Sequence, residues 1–235
     1  MKKSLLFFLF LMGGLVTMQA QLKSGYIKME ITEVGSDNEQ MAMQLEMMKG
    51  TQTEIFFNEN MNLSKMSMMG GMVETTTLYN AEVAKTDMLM NMMGQKIHIE
   101  TTDSEVKSLN QGQGDMMKDM KITKDESDKK TILGYKCTKT TFTNSAMEGM
   151  DIIMYLTNEI EGSVKGMQMI GQLEFDGFPL QIIINNPQMS MTVEAIELKK
   201  EVDPSVFKID TGGYKKMSME DFQKQMGAMG AGMGF

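Results

Sequence analysis

The chain is 235 residues long and acidic, with 31 Asp and Glu against 23 basic residues, every one a lysine, for a formal charge of −8. Without arginine it lacks the bidentate guanidinium contacts and cationic grooves on which nucleic-acid and phosphate recognition depend, and it is equally unsuited to anionic lipid headgroups. A single cysteine, a single histidine and no tryptophan leave few ways to build a nucleophilic triad.

Residues 1–20 read as a cleaved signal peptide. Lys2 and Lys3 form the basic start, Ser4 to Val16 the apolar stretch, and Thr17-Met18-Gln19-Ala20 ends in a small residue suited to cleavage. The apolar run is too short to remain as a membrane span, and no later stretch is long enough for one. No cysteine follows it, so the expected product is not a lipoprotein but a periplasmic or secreted chain. Cleavage would leave 215 residues, and losing Lys2 and Lys3 takes the charge to −10. That size fits one β-rich domain over 21–216, followed by a short helix and a Met/Gly/Ala tail over 217–235.

From there the chain runs as short alternating segments. Tyr26 to Val34 puts Ile27, Met29 and Ile31 on one face, before the turn Gly35-Ser36-Asp37-Asn38. Met41, Met43, Leu45 and Met47 also alternate, so Met41 to Lys49 is expected as strand. Its methionine and glutamate favour helix by propensity. Thr51 to Asn58 centres on Ile55, Phe56 and Phe57. Asn62 to Met69 and Met72 to Tyr79 flank Gly70-Gly71, a pair suited to a tight hairpin. Val83 to Met93 and Lys96 to Thr101 are split at Gly94-Gln95. Regular period-two segments with turn residues between them predict a mainly β protein with a large antiparallel sheet.

Residues 103–130 break the pattern. They are polar, glycine-marked and charged, and are expected as a long lid-like loop. Lys130 to Phe142 follows as a β-branched and aromatic run, expected as a central strand with Leu133, Tyr135 and Cys137 on its inner face. Cys137 there is best read as a small buried hydrophobe. Gly149 to Asn158 carries Ile152, Met154 and Leu156. Glu159 to Met169 has helical spacing. Leu173 to Phe175, Leu180 to Ile184 and Met189 to Leu198 read as strands, the last with a change of phase that predicts a bulge near Ala195. Ser218-Met219-Glu220-Asp221 is a helix start with Ser218 as N-cap.

Lys130 to Cys137, with its Ile132-Leu133-Gly134-Tyr135-Lys136-Cys137 core, resembles the domain of unknown function 4412, a family of exported bacterial proteins. Asp176 to Gln181 is similar to its turn-and-strand element, with Phe178 where leucine is usual. Asp203 to Ile209 is similar to its closing element, with Asp210 where proline is common, and Gly213-Tyr214 follows as in relatives. The resemblance covers roughly the mature chain and implies a fold like the LolA/LolB lipoprotein carriers: a curved, incompletely closed antiparallel sheet, or half-barrel, with short helices or loops on its concave face. It brings no functional residues.

His98 and Cys137 could form a catalytic pair only if the fold joins them. No cofactor fingerprint, phosphate loop or CxxC is present, and the expectation is a non-enzymatic protein with no cofactor. The unusual feature is 32 methionines. Long, unbranched thioether chains suit a pliable apolar surface. One reading is therefore a binding module that holds a hydrophobic ligand (lipid, acyl chain or apolar polypeptide segment) on a concave face lined by Met29, Met41, Met43, Leu45, Ile55, Phe57, Leu133, Tyr135, Ile152 and Met154. A second is soft-metal binding: Met-x-Met pairs project to one side of a strand, which makes Met66, Met68, Met88, Met90 and His98 candidate Cu(I) ligands. A third is an envelope interaction protein that uses methionine as its general hydrophobe and holds no small ligand.

Overall fold

The computed structural model describes residues 21–105, 120–144, 149–162, 164, 173 and 175–225. The signal segment 1–20, residues 106–119 of the expected lid, most of Glu159 to Met169 and the tail from 226 lie outside them. Among the described residues, twelve strands form one sheet that does not close into a barrel. In chain order they are β1 (Gly25–Gly35), β2 (Gln52–Phe57), β3 (Met61–Met68), β4 (Val73–Asn80), β5 (Lys85–Met92), β6 (Gln95–Thr102), β7 (Lys121–Ile132), β8 (Tyr135–Thr143), β9 (Asp151–Thr157), β10 (Phe178–Asn185), β11 (Ser190–Lys199) and β12 (Lys215–Met217). Their order across the sheet is β12-β6-β5-β4-β3-β2-β1-β11-β10-β9-β8-β7. Every pairing is antiparallel except β12 on β6. The expectation of a large, incompletely closed antiparallel sheet is met.

Local chemistry explains the turns. Met93-Gly94 and Leu133-Gly134 both take positive φ, at 52° and 87° and at 49° and 86°. Two such residues in succession give the turn whose twist matches the flanking strands, with glycine absorbing the second position. The bulge expected near Ala195 is present: Lys28 pairs with Glu197 and Met29 with Ala195, so Ile196 is the extra residue. The helix expected after Ser218 is also present, over 219–225. Its cap is reciprocal: the Asp221 amide donates to Ser218 Oγ at 3.0 Å and that hydroxyl donates to the Asp221 carboxylate at 2.7 Å.

Four expectations are corrected. Met41 to Lys49 is not a strand; Glu39–Glu46 is a helix, α1, capped by Asn38, whose side chain accepts from the Met41 amide. Lys130 to Phe142 is not one central strand. It is the β7–β8 hairpin at one margin of the sheet, and Leu133 stands in the turn, 42% exposed, instead of sharing a face with Tyr135. The charged run 121–130 is not loop but most of edge strand β7. Its lysines and acids, and the irregularity between Asp125 and Lys129, are what an unpaired edge uses to resist further strand addition. Leu173 and Phe175 lie outside any strand.

The core gathers on one face of β1, β2 and β8–β11. Ile27, Ile55, Phe57, Met154, Phe178 and Leu180 are fully or almost fully buried there. On β8, burial marks Tyr135 and Cys137 and then resumes one residue out of phase at Thr140 and Phe142, opposite the β7 irregularity.

Candidate functional site

Between β9 and β10, the described residues 158–162, 164, 173 and 175–177 form a crossing segment against the apolar face. Its start is tied to the beginning of the described chain by a two-bond bridge: Leu22 donates to Glu159 O at 2.8 Å and Glu161 donates to Leu22 O at 2.9 Å. Ile160 and Leu173 are buried in the core cluster, and Val164 and Phe175 pack against it. Gly162 lies flat on the rings of Phe57 and Phe178; a Cβ there would stand 3.0–3.1 Å from their carbons. Phe175 meets Phe142 edge-on, centroids 5.5 Å apart at 72°. The covering element is thus this crossing segment. The sequence signal for it was a glycine and spaced apolar residues in a stretch that reads as helix.

One polar group in the cover is poorly placed. Glu159 Oε1 accepts from the Lys136 amide at 3.1 Å, but its Oε2 is buried without a hydrogen-bond partner. Such an oxygen costs about 1–3 kcal/mol that water would return if the segment lifted.

Of the ten residues expected to line an apolar site, six come together in this cluster: Met29, Ile55, Phe57, Tyr135, Ile152 and Met154. They are brought there by strands far apart in sequence. The other four do not join it. Met41, Met43 and Leu45 lie on α1, Leu45 buried and Met43 74% exposed, and Leu133 is in its turn.

Cys137 is 1% exposed, and burial, abetted by the Glu159 carboxylate, pushes its thiol up to about 11. At pH 8 roughly one thiol in a thousand would then be ionised. Native protein should label with iodoacetamide at pH 8 at under about 1% of the rate in denaturant, rising only as the fold opens. Rapid native labelling would show Cys137 to be reachable.

His98 and Cys137 are not partners: their strands lie nine places apart in the sheet order. His98 Nε2 bonds Asp87 Oδ1 at 2.8 Å, and Asp87, His98 and Glu100 could together address a cation. The ammonium of Lys85 is already there, 2.6 Å from Glu100 and 3.4 Å from Asp87. That contact holds the Glu100 carboxyl below its usual range and raises Lys85, so the cluster is a neutralised surface network.

The thioethers of the metal reading are placed differently from its histidine. Met66 pairs with Thr75 and Thr75 with Met90; Met88 pairs with Thr77; Met68 pairs with Val73. Directly paired residues share a face, so Met66, Met68, Met88 and Met90 all point to one side. His98 pairs with Leu89 and therefore points to the other. It is removed from the ligand set.

No protein-family model and no curated protein matches the chain. Among solved structures, an uncharacterised conserved protein from Thermus thermophilus is similar over 84% of this chain and 91% of its own, with TM-score 0.48 and 6% identity. The MucA/MucB complex of Pseudomonas aeruginosa contains a chain similar over 81% of this one and 57% of its own, at TM-score 0.37 and 8% identity. LprF from Mycobacterium bovis is similar over 77% and 88%, at TM-score 0.31 and 10% identity. Scores and identities this low assign neither family nor partner.

Proposed function

We propose that this chain is an exported, non-enzymatic module that takes up an apolar ligand, an acyl chain or an apolar polypeptide segment, between its sheet and the described residues of the crossing segment, among them Ile160, Leu173 and Phe175. The observation that carries the reading is the composition of the interface under the cover. Seven strands of an open sheet contribute to an apolar cluster, against which Ile160, Val164, Leu173 and Phe175, described residues between β9 and β10, are packed. The misplaced Glu159 oxygen supports a cover that can lift.

The magnitudes fit exchange. Burying ten methylenes of a ligand would gain roughly 8 kcal/mol before ordering costs. Releasing buried Leu173 and partly buried Phe175 would cost roughly 2.5–5 kcal/mol. A ligand that replaces the cover's side chains therefore binds with a modest surplus, and loading stays reversible.

Native mass spectrometry of protein purified from its own envelope should show co-purifying apolar mass. A fluorescent fatty-acid analogue should bind saturably to ligand-free protein, and Phe175→Ala should speed its uptake several-fold by loosening the cover. Bare polypeptide from the envelope, together with no saturable uptake, would overturn the proposal.

A further inference from the structure

The geometry points to a second site, on β3–β5, in which thioethers hold a soft monovalent cation of the Cu(I) class. The register sets Met66 and Met68 of β3 on one side of β4, and Met88, Met90 and Met92 of β5 on the other, all on the same face. The β4 residues between them are Val73, Thr75 and Thr77, which are short. Strands repeat at about 4.8 Å, so β3 and β5 stand roughly 10 Å apart. Methionine side chains leaning inward from both can close that gap above the small β4 residues. All five are half-buried, neither sunk in the core like Met29 and Met154 nor fully in solvent.

The surrounding chemistry selects the ion. By the same pairings, the β3–β6 residues on this face are Asn, Ser, Thr, Gln, Val, Ile, Tyr and Met, with no carboxylate, lysine or histidine. Neutral sulfur donors without an anion favour a soft ion of low charge over Zn²⁺, Ca²⁺ or Mg²⁺. The run also continues to solvent. Met69, Met72 and Met93, 63%, 47% and 81% exposed, sit on adjacent hairpin tips, and the Met93 amide donates to Met72 O at 2.9 Å. A thioether path thus leads from the rim of the sheet to the half-buried set.

Thioethers carry no proton to displace, so binding should be flat with pH, unlike a histidine, thiolate or carboxylate site. Anaerobic titration of the full chain with Cu(I) against a chromogenic Cu(I) chelator should give one competed ion per chain, with affinity constant within about threefold from pH 5 to 8. The M66L/M68L/M88L/M90L variant keeps apolar volume and should lose at least a hundredfold, while Met43→Leu on α1 with Met47→Leu at its C-terminal cap should change nothing. In wild-type protein labelled at the methionine methyls, Ag(I) should shift the Met66, Met68, Met88 and Met90 signals and leave those of Met29 and Met154. This measurement keeps the test decisive should the fourfold variant fail to fold. Absence of competition, binding that rises steeply with pH, or unshifted β3 and β5 methyls would each overturn the site.

Discussion

Phe178→Ala should lower the stability of the fold by about 3–5 kcal/mol, the range for removing a buried aromatic ring. For a domain of this size that is a fall in Tm of roughly 6–20 °C. Phe178 opens β10 and is completely buried. Its ring lies 5.6 Å from that of Phe57, tilted at 32°, and Gly162 rests on both. The sheet side of the resulting cavity is fixed by hydrogen-bonded strands and cannot collapse. Only the crossing segment could settle into it, and its glycine has no side chain to offer. Phe175→Ala should cost clearly less, about 1–2 kcal/mol, because that ring is partly in solvent and packs at the cover's margin. Denaturant melts of the two variants separate the ideas: an equal or larger loss for Phe175 would mean that the cover, and not the sheet face, carries the core. Phe57→Ala combined with Phe178→Ala should fall short of additivity, since the second truncation removes a contact already lost.

Much of this arrangement was legible in the sequence, for a physical reason. Strands with one buried face must alternate, and residues such as Gly70-Gly71 and Gly94 mark where they reverse. The bulge at Ile196 was legible as a slip between Met189–Ala195 and Ile196–Leu198. The register of β5 and β6 was legible in principle too. Counting outward from Met93-Gly94 pairs Met90 with Ile97 and Leu89 with His98, which separates His98 from the methionines. What failed did so where two structures satisfy one pattern. Met41 to Lys49 fits strand by alternation and helix by propensity; the Asn38 cap decides, and in sequence Asn38 reads equally well as a turn residue. The charged run 121–130 is solvated whether it is a loop or the outermost strand, so its composition could not tell them apart. Leu133-Gly134 does not announce a turn, because leucine rarely accepts a positive φ. The cover over the core left only a glycine and spaced apolar residues in a stretch that reads as helix, since its contacts with Phe57, Phe142 and Phe178 cross long stretches of sequence. Six of the ten residues expected to line an apolar site nevertheless share the core cluster, because inward-facing positions on neighbouring strands meet whatever the topology.

Gly177→Val should cost about 3 kcal/mol or more, and its cause can be isolated. Gly177 ends the crossing segment one residue before β10 and has φ of 99°, where a β-branched side chain is a severe outlier. A Cβ there would also stand 2.9 Å from Asn158 Oδ1 and 3.1 Å from the backbone oxygen of Thr157, on the strand that pairs with Phe178. The Asn158 side chain can turn away; the Thr157 carbonyl cannot move without disturbing the β9–β10 ladder. Strain and collision therefore add at this position. Gly70→Ala supplies the contrast, with φ of 67° and nothing within 4 Å of the added carbon. It should cost about 1 kcal/mol from backbone strain alone. Hydrogen exchange should locate the larger effect, with the Gly177 variant losing protection first at Phe178 to Gln181 and Tyr155 to Thr157 while β3–β6 keeps theirs. Equal losses for the two variants would show that the collision is relieved by the chain around Gly177. Early loss of protection in β3–β6 would show instead that the two ends of the sheet open as one unit, and that the crossing segment cannot lift independently of the β3–β5 face.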